Sequence, residues 1–131
     1  VTPYAYLDAS AIVKLVVEEP ESPRVQADIL TRPGLLCSQL GATEVSRACR
    51  RVLPRRQFQR IDDILEALFL VAVTPAILEA AGTLEPAVLR TLDAIHLATL
   101  LSLDDRAIDV VTYDSRLAAA AKAHGFNVVV P

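Results

Sequence analysis

Apolar residues along this chain come in two rhythms. Short unbroken runs alternate with longer stretches in which they return every three or four positions. Tyr4-Ala5-Tyr6-Leu7 reads as a short buried strand ending at Asp8. From Ala9 to Val17 the apolar residues Ile12, Val13, Val16 and Val17 keep helical spacing until Glu18-Glu19-Pro20 stops them. A second helix is predicted from about Pro23 to Thr31, closed by Arg32-Pro33-Gly34. Leu35-Leu36-Cys37 is strand-like, and a helix from about Leu40 to Leu53 follows it. Pro54 is placed as the first residue of the next helix, which runs to about Leu70. Leu70 to Val73 is β-prone, and Thr74-Pro75 opens a helix by a cap-then-proline signature. Thr91 is the predicted cap of a helix from Leu92 to about Leu103. Ile108 to Tyr113 is the clearest strand, an Ala-rich helix ends at Gly125, and Phe126 to Val130 forms a last strand.

This alternation, without hairpin turn signals, predicts an α/β fold: a mostly parallel central sheet of four to five short strands flanked by helices. At 131 residues the chain suits a single domain, 1–131. With 53% hydrophobic residues, 5% aromatics and no Trp, its core has to be built from Leu, Val, Ile and Ala. Cys37 and Cys49 form no C-x-x-C pair and read as free buried thiols of a reducing compartment. The longest apolar runs are broken by charge well short of the ~20 residues that span a bilayer. No secretory leader pattern opens the sequence, so the expectation is a soluble, cytoplasmic protein with no membrane partner.

Four acids are placed alike. Asp8 ends the first strand and Asp114 follows the Val110–Tyr113 run. Glu44 and Asp93 fall in the first turns of helices. In a parallel sheet the carboxyl ends of the strands share one edge, where ligands bind, so acids distant in sequence can converge there. Crowded carboxylates repel unless a cation holds them, and an all-oxygen set without His or Cys favours Mg²⁺ or Mn²⁺ over zinc. Such a metal activates water and orients a phosphodiester. Each acid also has a plainer reading. Asp8 and Asp114 could be helix caps, Asp93 a first-turn acid favoured by the helix dipole, and Glu44 a solvated helix residue.

The segments around these acids resemble a known family. Tyr6-Leu7-Asp8-Ala9-Ser10-Ala11-Ile12-Val13-Lys14-Leu15 looks like the opening motif of PIN-domain proteins, especially the VapC-type toxins of bacterial toxin–antitoxin systems. Arg90-Thr91-Leu92-Asp93-Ala94-Ile95-His96-Leu97-Ala98 is similar to the family's central motif, and Thr112-Tyr113-Asp114-Ser115-Arg116-Leu117 to its third. Ser38 through Glu44-Val45 fits the segment with the second acid, so the resemblance spans essentially the whole chain. It implies a PIN-like fold and a Mg²⁺- or Mn²⁺-dependent ribonuclease, with Asp8 and Asp93 as central ligands and Glu44 and Asp114 completing the cluster. It further implies Ser10 and Thr112 as supporting hydroxyls, a homodimer, an RNA substrate and a cognate VapB-type antitoxin in the toxin's groove. After Asp114 comes Ser115-Arg116, where some relatives carry another acid, and this bears on a second metal site.

Arg47, Arg50, Arg51, Arg55, Arg56 and Arg60 concentrate positive charge in a chain whose net charge is −3. They read as an RNA-backbone or antitoxin contact, or else as a solvated helix face. His96 lies one turn after Asp93 and reads as a partly buried structural residue rather than a general base. Ser10 lacks the surroundings of a serine nucleophile. The competing functional reading is a catalytically inactive PIN-like module that binds RNA or a protein.

Overall fold

The computed structural model describes residues 2–131. Five short strands make one all-parallel sheet: β1 (Ala5–Leu7), β2 (Leu35–Ser38), β3 (Phe69–Val71), β4 (Asp109–Val111) and β5 (Asn127–Val129). Their order is β3-β2-β1-β4-β5. β1 is therefore central, with Tyr6 paired to Leu36 on one side and to Val110 on the other. Seven helices connect and cover the strands: α1 (Ala9–Val16), α2 (Ser22–Ile29), α3 (Gln39–Val52), α4 (Gln59–Glu66), α5 (Pro75–Gly82), α6 (Thr91–Ser102) and α7 (Ser115–Ala123). The α/β class and the helix-flanked parallel sheet agree with the sequence pattern, at its upper count of five strands.

The two-residue period of a strand sends alternate side chains to opposite faces. Ala5, Leu7 and Val111 point into a core with Ile12, Val16, Val45 and Ile61, under α1, α3 and α4. Tyr6 and Val110 point the other way, among Leu97, Leu100, Leu117 and Ala121 of α6 and α7. Cys37 and Cys49 are both free and buried. No described helix is long and apolar enough to cross a membrane.

Local signals located some element ends and missed others. Thr74 caps α5, its hydroxyl accepting from the Ile77 N–H at 3.2 Å. Thr91 does not cap α6. The extended residue is Arg90, without a side-chain cap, and Thr91 is already helical. The single helix expected from Pro54 to Leu70 is split. Pro54 stands before a 3₁₀ turn over Arg55–Gln57, and α4 begins only after Phe58. The Phe58 ring, at the end of that turn, lies under the Arg50 guanidinium, 4.6 Å from its centroid.

Gly41 governs how closely α3 approaches the sheet. A Cβ at this position would collide with the Cys37 sulfur and sit 3.2 Å from His96 Cε1. Both neighbours are buried, so neither has room to retreat. Overpacking of this kind costs about 1–3 kcal/mol, against the roughly 1 kcal/mol by which Ala is the better helix former. Gly41→Ala is thus expected to lower stability by about 1 kcal/mol or more in urea unfolding. An unchanged midpoint would mean that Cys37 can turn aside.

Candidate active site

Asp8 leaves the carboxyl end of β1 and caps α1, its Oδ1 accepting from the Ala11 N–H at 3.3 Å. The same oxygen accepts from Ser10 Oγ at 2.6 Å, and Oδ2 accepts from Thr112 Oγ1 at 2.9 Å. Thr112 lies just beyond β4, the strand beside β1, so a hydroxyl from the first turn of α1 and one from the adjacent strand end converge on one carboxylate. The hydroxyls are themselves fixed from behind. Ser10 Oγ accepts from the Tyr113 N–H at 2.9 Å, and Thr112 Oγ1 from the Asp114 N–H at 3.0 Å. Asp8 is only 5% exposed. Burial raises its carboxyl above the ordinary carboxylate range, and the bonds from Ser10 and Thr112 oppose that rise without cancelling it.

The other three acids face the same place. Asp93 sits in the first turn of α6. Desolvation raises its carboxyl, and the charges of Asp114, Asp8 and Glu44 push the same way. One carboxylate thus feels the other three, which is the convergence expected at the strand ends. Asp114 caps α7, its Oδ1 accepting from the N–H groups of Arg116 at 2.9 Å and Leu117 at 3.2 Å. Glu44 is half-buried on α3, with Oε1 at 2.6 Å from His96 Nε2. The capping reading of Asp8 and Asp114 is therefore true as well, and it is compatible with a site because each cap leaves carboxylate lone pairs over.

As the side chains stand, no group of three His, Cys, Asp or Glu among the described residues is gathered tightly enough to enclose a cation. The donor chemistry nevertheless fits a hard divalent ion. Among the described residues the Asp93 carboxylate accepts no hydrogen bond, and Asp114 Oδ2 and Glu44 Oε2 are likewise unengaged. Mutually repelling carboxylates with free oxygens, one raised by burial and further by the other three, are what such an ion would stabilise.

His96 is more buried than the sequence suggested, at 2% exposure, and it is tied into the acid cluster. Its Nδ1 lies 2.7 Å from the hydroxyl of Tyr6, itself 1% exposed. Local sequence offers no sign of this chain of contacts, because Tyr6 reads as an ordinary strand residue. The Cys37 thiol is pushed up to about 12, chiefly by burial and further by Asp8 and Glu44, so it stays protonated and is no nucleophile.

Arg47, Arg50 and Arg51 are exposed on α3, and Arg55 is exposed on the turn beyond it, none of them in an ion pair among the described residues. Between α1 and α3 an open groove of about 410 Å³ runs along Ser10, Val13, Lys14, Glu44, Ala48 and Tyr113, so it begins at the acid cluster.

Comparison with known proteins bears on this arrangement. The family model of the PIN domain matches residues 5–129. Ribonuclease VapC46 of Mycobacterium tuberculosis is 42% identical over 132 residues, covering 96% of each chain. Ribonuclease VapC47 of the same species is 33% identical, again covering 96% of each chain. Among solved structures, Mycobacterium tuberculosis VapC20, described as a Sarcin-Ricin loop cleaving toxin, superposes with a TM-score of 0.78 at 17% identity, covering 97% of this chain and 99% of that one. A toxin–antitoxin complex from Klebsiella pneumoniae gives a TM-score of 0.74 at 23% identity, covering 97% of both chains. At these identities the structural matches speak to the fold.

Proposed function

Because this chain belongs to the PIN-domain family, we propose that it is a Mg²⁺- or Mn²⁺-dependent ribonuclease, the toxin of a toxin–antitoxin pair. The observation that carries the reading is the convergence of Asp8, Glu44, Asp93 and Asp114 on one edge of the sheet, with the Asp93 carboxyl raised by burial and further by the other three. The relatives named ribonucleases, matched over 96% of their length, support it.

Asp8 and Asp93 would hold the ion, with Glu44 and Asp114 completing its surroundings directly or through water. When bound, such an ion lowers the pKa of water, orients the phosphodiester and offsets charge on the leaving oxygen. The rest of the work belongs to the chain. Ser10 and Thr112 donate to both oxygens of Asp8, which fixes the direction of its free lone pairs and opposes the effect of burial on its charge. Asp93, with both oxygens unengaged, is the acid free to adjust to a ligand. Arg47, Arg50, Arg51 and Arg55 supply a local positive field for the RNA backbone that the acidic chain otherwise lacks. The α1–α3 groove is where a VapB-type antitoxin segment would lie, and toxin–antitoxin complexes among the fold's neighbours favour that partner. A homodimer acting on cytoplasmic RNA completes the proposal.

The test is cleavage of total RNA by purified protein freed of any antitoxin. Cleavage with Mg²⁺ or Mn²⁺ that chelator abolishes and added metal restores is the expected result. Cleavage indifferent to chelator would overturn the metal role. RNA binding without cleavage under either condition would replace the enzyme with a binding module.

A further inference from the structure

His96 is buried against two side chains, and their chemistry decides what it does. At 2.6 Å from Glu44 Oε1, Nε2 must carry a proton, since a bare lone pair there would face a carboxylate oxygen. The Tyr6 phenol is 1% exposed, and its O–H is a buried donor that needs an acceptor. Among the described residues that proton has one partner, His96 Nδ1 at 2.7 Å. Donation therefore runs one way: Tyr6 O–H to Nδ1, then Nε2–H to Glu44. A ring protonated on both nitrogens would turn Nδ1–H against the phenol and leave the buried phenol proton without an acceptor.

We propose that His96 is a positioning residue, locked by Tyr6 as the Nε2–H tautomer and anchoring Glu44 by one oxygen so that Oε2 faces the acid cluster. The proposal rests on the metal-dependent reading of that cluster. Two features of the fold converge on this arrangement. Tyr6 belongs to the central strand and is held by α6 and α7 packing, so its hydroxyl is a fixed reference point. Gly41 lets α3 approach until His96 Cε1 would nearly touch an added Cβ, and this brings Glu44, three residues on, within reach of the ring. An unbraced Glu side chain would sample several rotamers, and the anchor removes that freedom before any ligand arrives. Hydrogen bonds that orient a ligand's side chain from behind typically matter 10–100-fold for metal affinity.

Two readouts test this. The first is the ¹⁵N NMR tautomer of His96, taken in chelator, in the parent and in Tyr6→Phe. The expected result is a proton on Nε2 alone in the parent and a loss of that exclusivity in Tyr6→Phe, which keeps the ring and its packing. The second is Mn²⁺ affinity by calorimetry, with circular dichroism confirming the fold. His96→Leu is expected to weaken binding about 10–100-fold, and His96→Gln, whose amide can still donate to Glu44, to recover most of it. A proton on Nδ1 in the parent would overturn the proposal, as would a folded His96→Leu with unchanged Mn²⁺ affinity. A parent that binds no Mn²⁺ would instead sink the metal-dependent reading, and the tautomer would still decide whether Tyr6 locks the ring.

Discussion

Replacing Asp93 with Asn is expected to slow RNA cleavage on the order of a thousandfold or more, a barrier rise of about 4 kcal/mol, while raising thermal stability. The substitution keeps shape and removes one negative charge from a site where four converge. Loss of activity follows because Asp93 is the acid with both oxygens unengaged, free to meet a cation. The gain in stability follows from the sign of its pKa shift. Burial and the neighbouring acids raise the folded-state value, so ionising Asp93 costs more in the folded chain than in the unfolded one. Stability from this residue is full below the unfolded-state value of about 4 and is lost as pH rises through the raised folded value. At neutral pH the parent carries that penalty and Asp93→Asn does not. Melting curves in chelator should show Asp93→Asn above the parent at pH 7, with the gap closing toward pH 4. Single-turnover cleavage measures the other half. A variant that cuts as fast as the parent would remove Asp93 from the site, and a variant that melts lower would mean the carboxylate is structurally paired.

The largest loss of stability is expected at Arg32, at the end of the sheet opposite the acids. Its side chain is 3% exposed. Nε and Nη2 grip Asp28 at 3.1 and 3.0 Å, while Nη1 donates to Asp109 and to the Pro3 carbonyl. Asp109 opens β4 and also accepts from Asn127 Nδ2 at 2.9 Å, at the head of β5. One guanidinium thus ties α2 and the chain entering β1 to the start of β4. Arg32→Leu would leave Asp109 buried with its charge uncompensated, at a cost of about 3–5 kcal/mol. For a domain of this size that corresponds to a fall of roughly 10 °C or more in Tm. Arg32→Lys should recover only part, since an ammonium cannot reproduce the fork. A loss below about 1 kcal/mol in urea would place the pair with solvent-screened surface bridges.

Arg32 also marks the boundary of what the sequence discloses. Read locally, Arg32-Pro33-Gly34 is a helix stop, and so it is, but its partner Asp109 lies 77 residues away. The Tyr6–His96 and His96–Glu44 contacts span 90 and 52 residues and were equally out of reach. What could be read were features that one turn of chain determines: Asp8 at a strand end, Thr74 capping α5, apolar runs too short to be helices. The acids were legible because topology alone delivers strand ends to one edge. The tilt of His96 was not, because it depends on Gly41 admitting α3 at close range. The Phe58 ring under Arg50 was out of reach for a similar reason, being a contact between elements.

The sheet order also has a consequence in time. β1 is made first, yet one of its two partners, β4, follows roughly a hundred residues later, on the order of ten seconds of synthesis. Until then the central strand presents an open flank, and Asp8 lacks Thr112 and Asp114. The acid cluster therefore comes together only once β4 and the residues just after it have been made. A ribosome making this chain is not exposed to a half-finished nuclease, and a product truncated before β4 should be harmless as a nuclease and prone to aggregate.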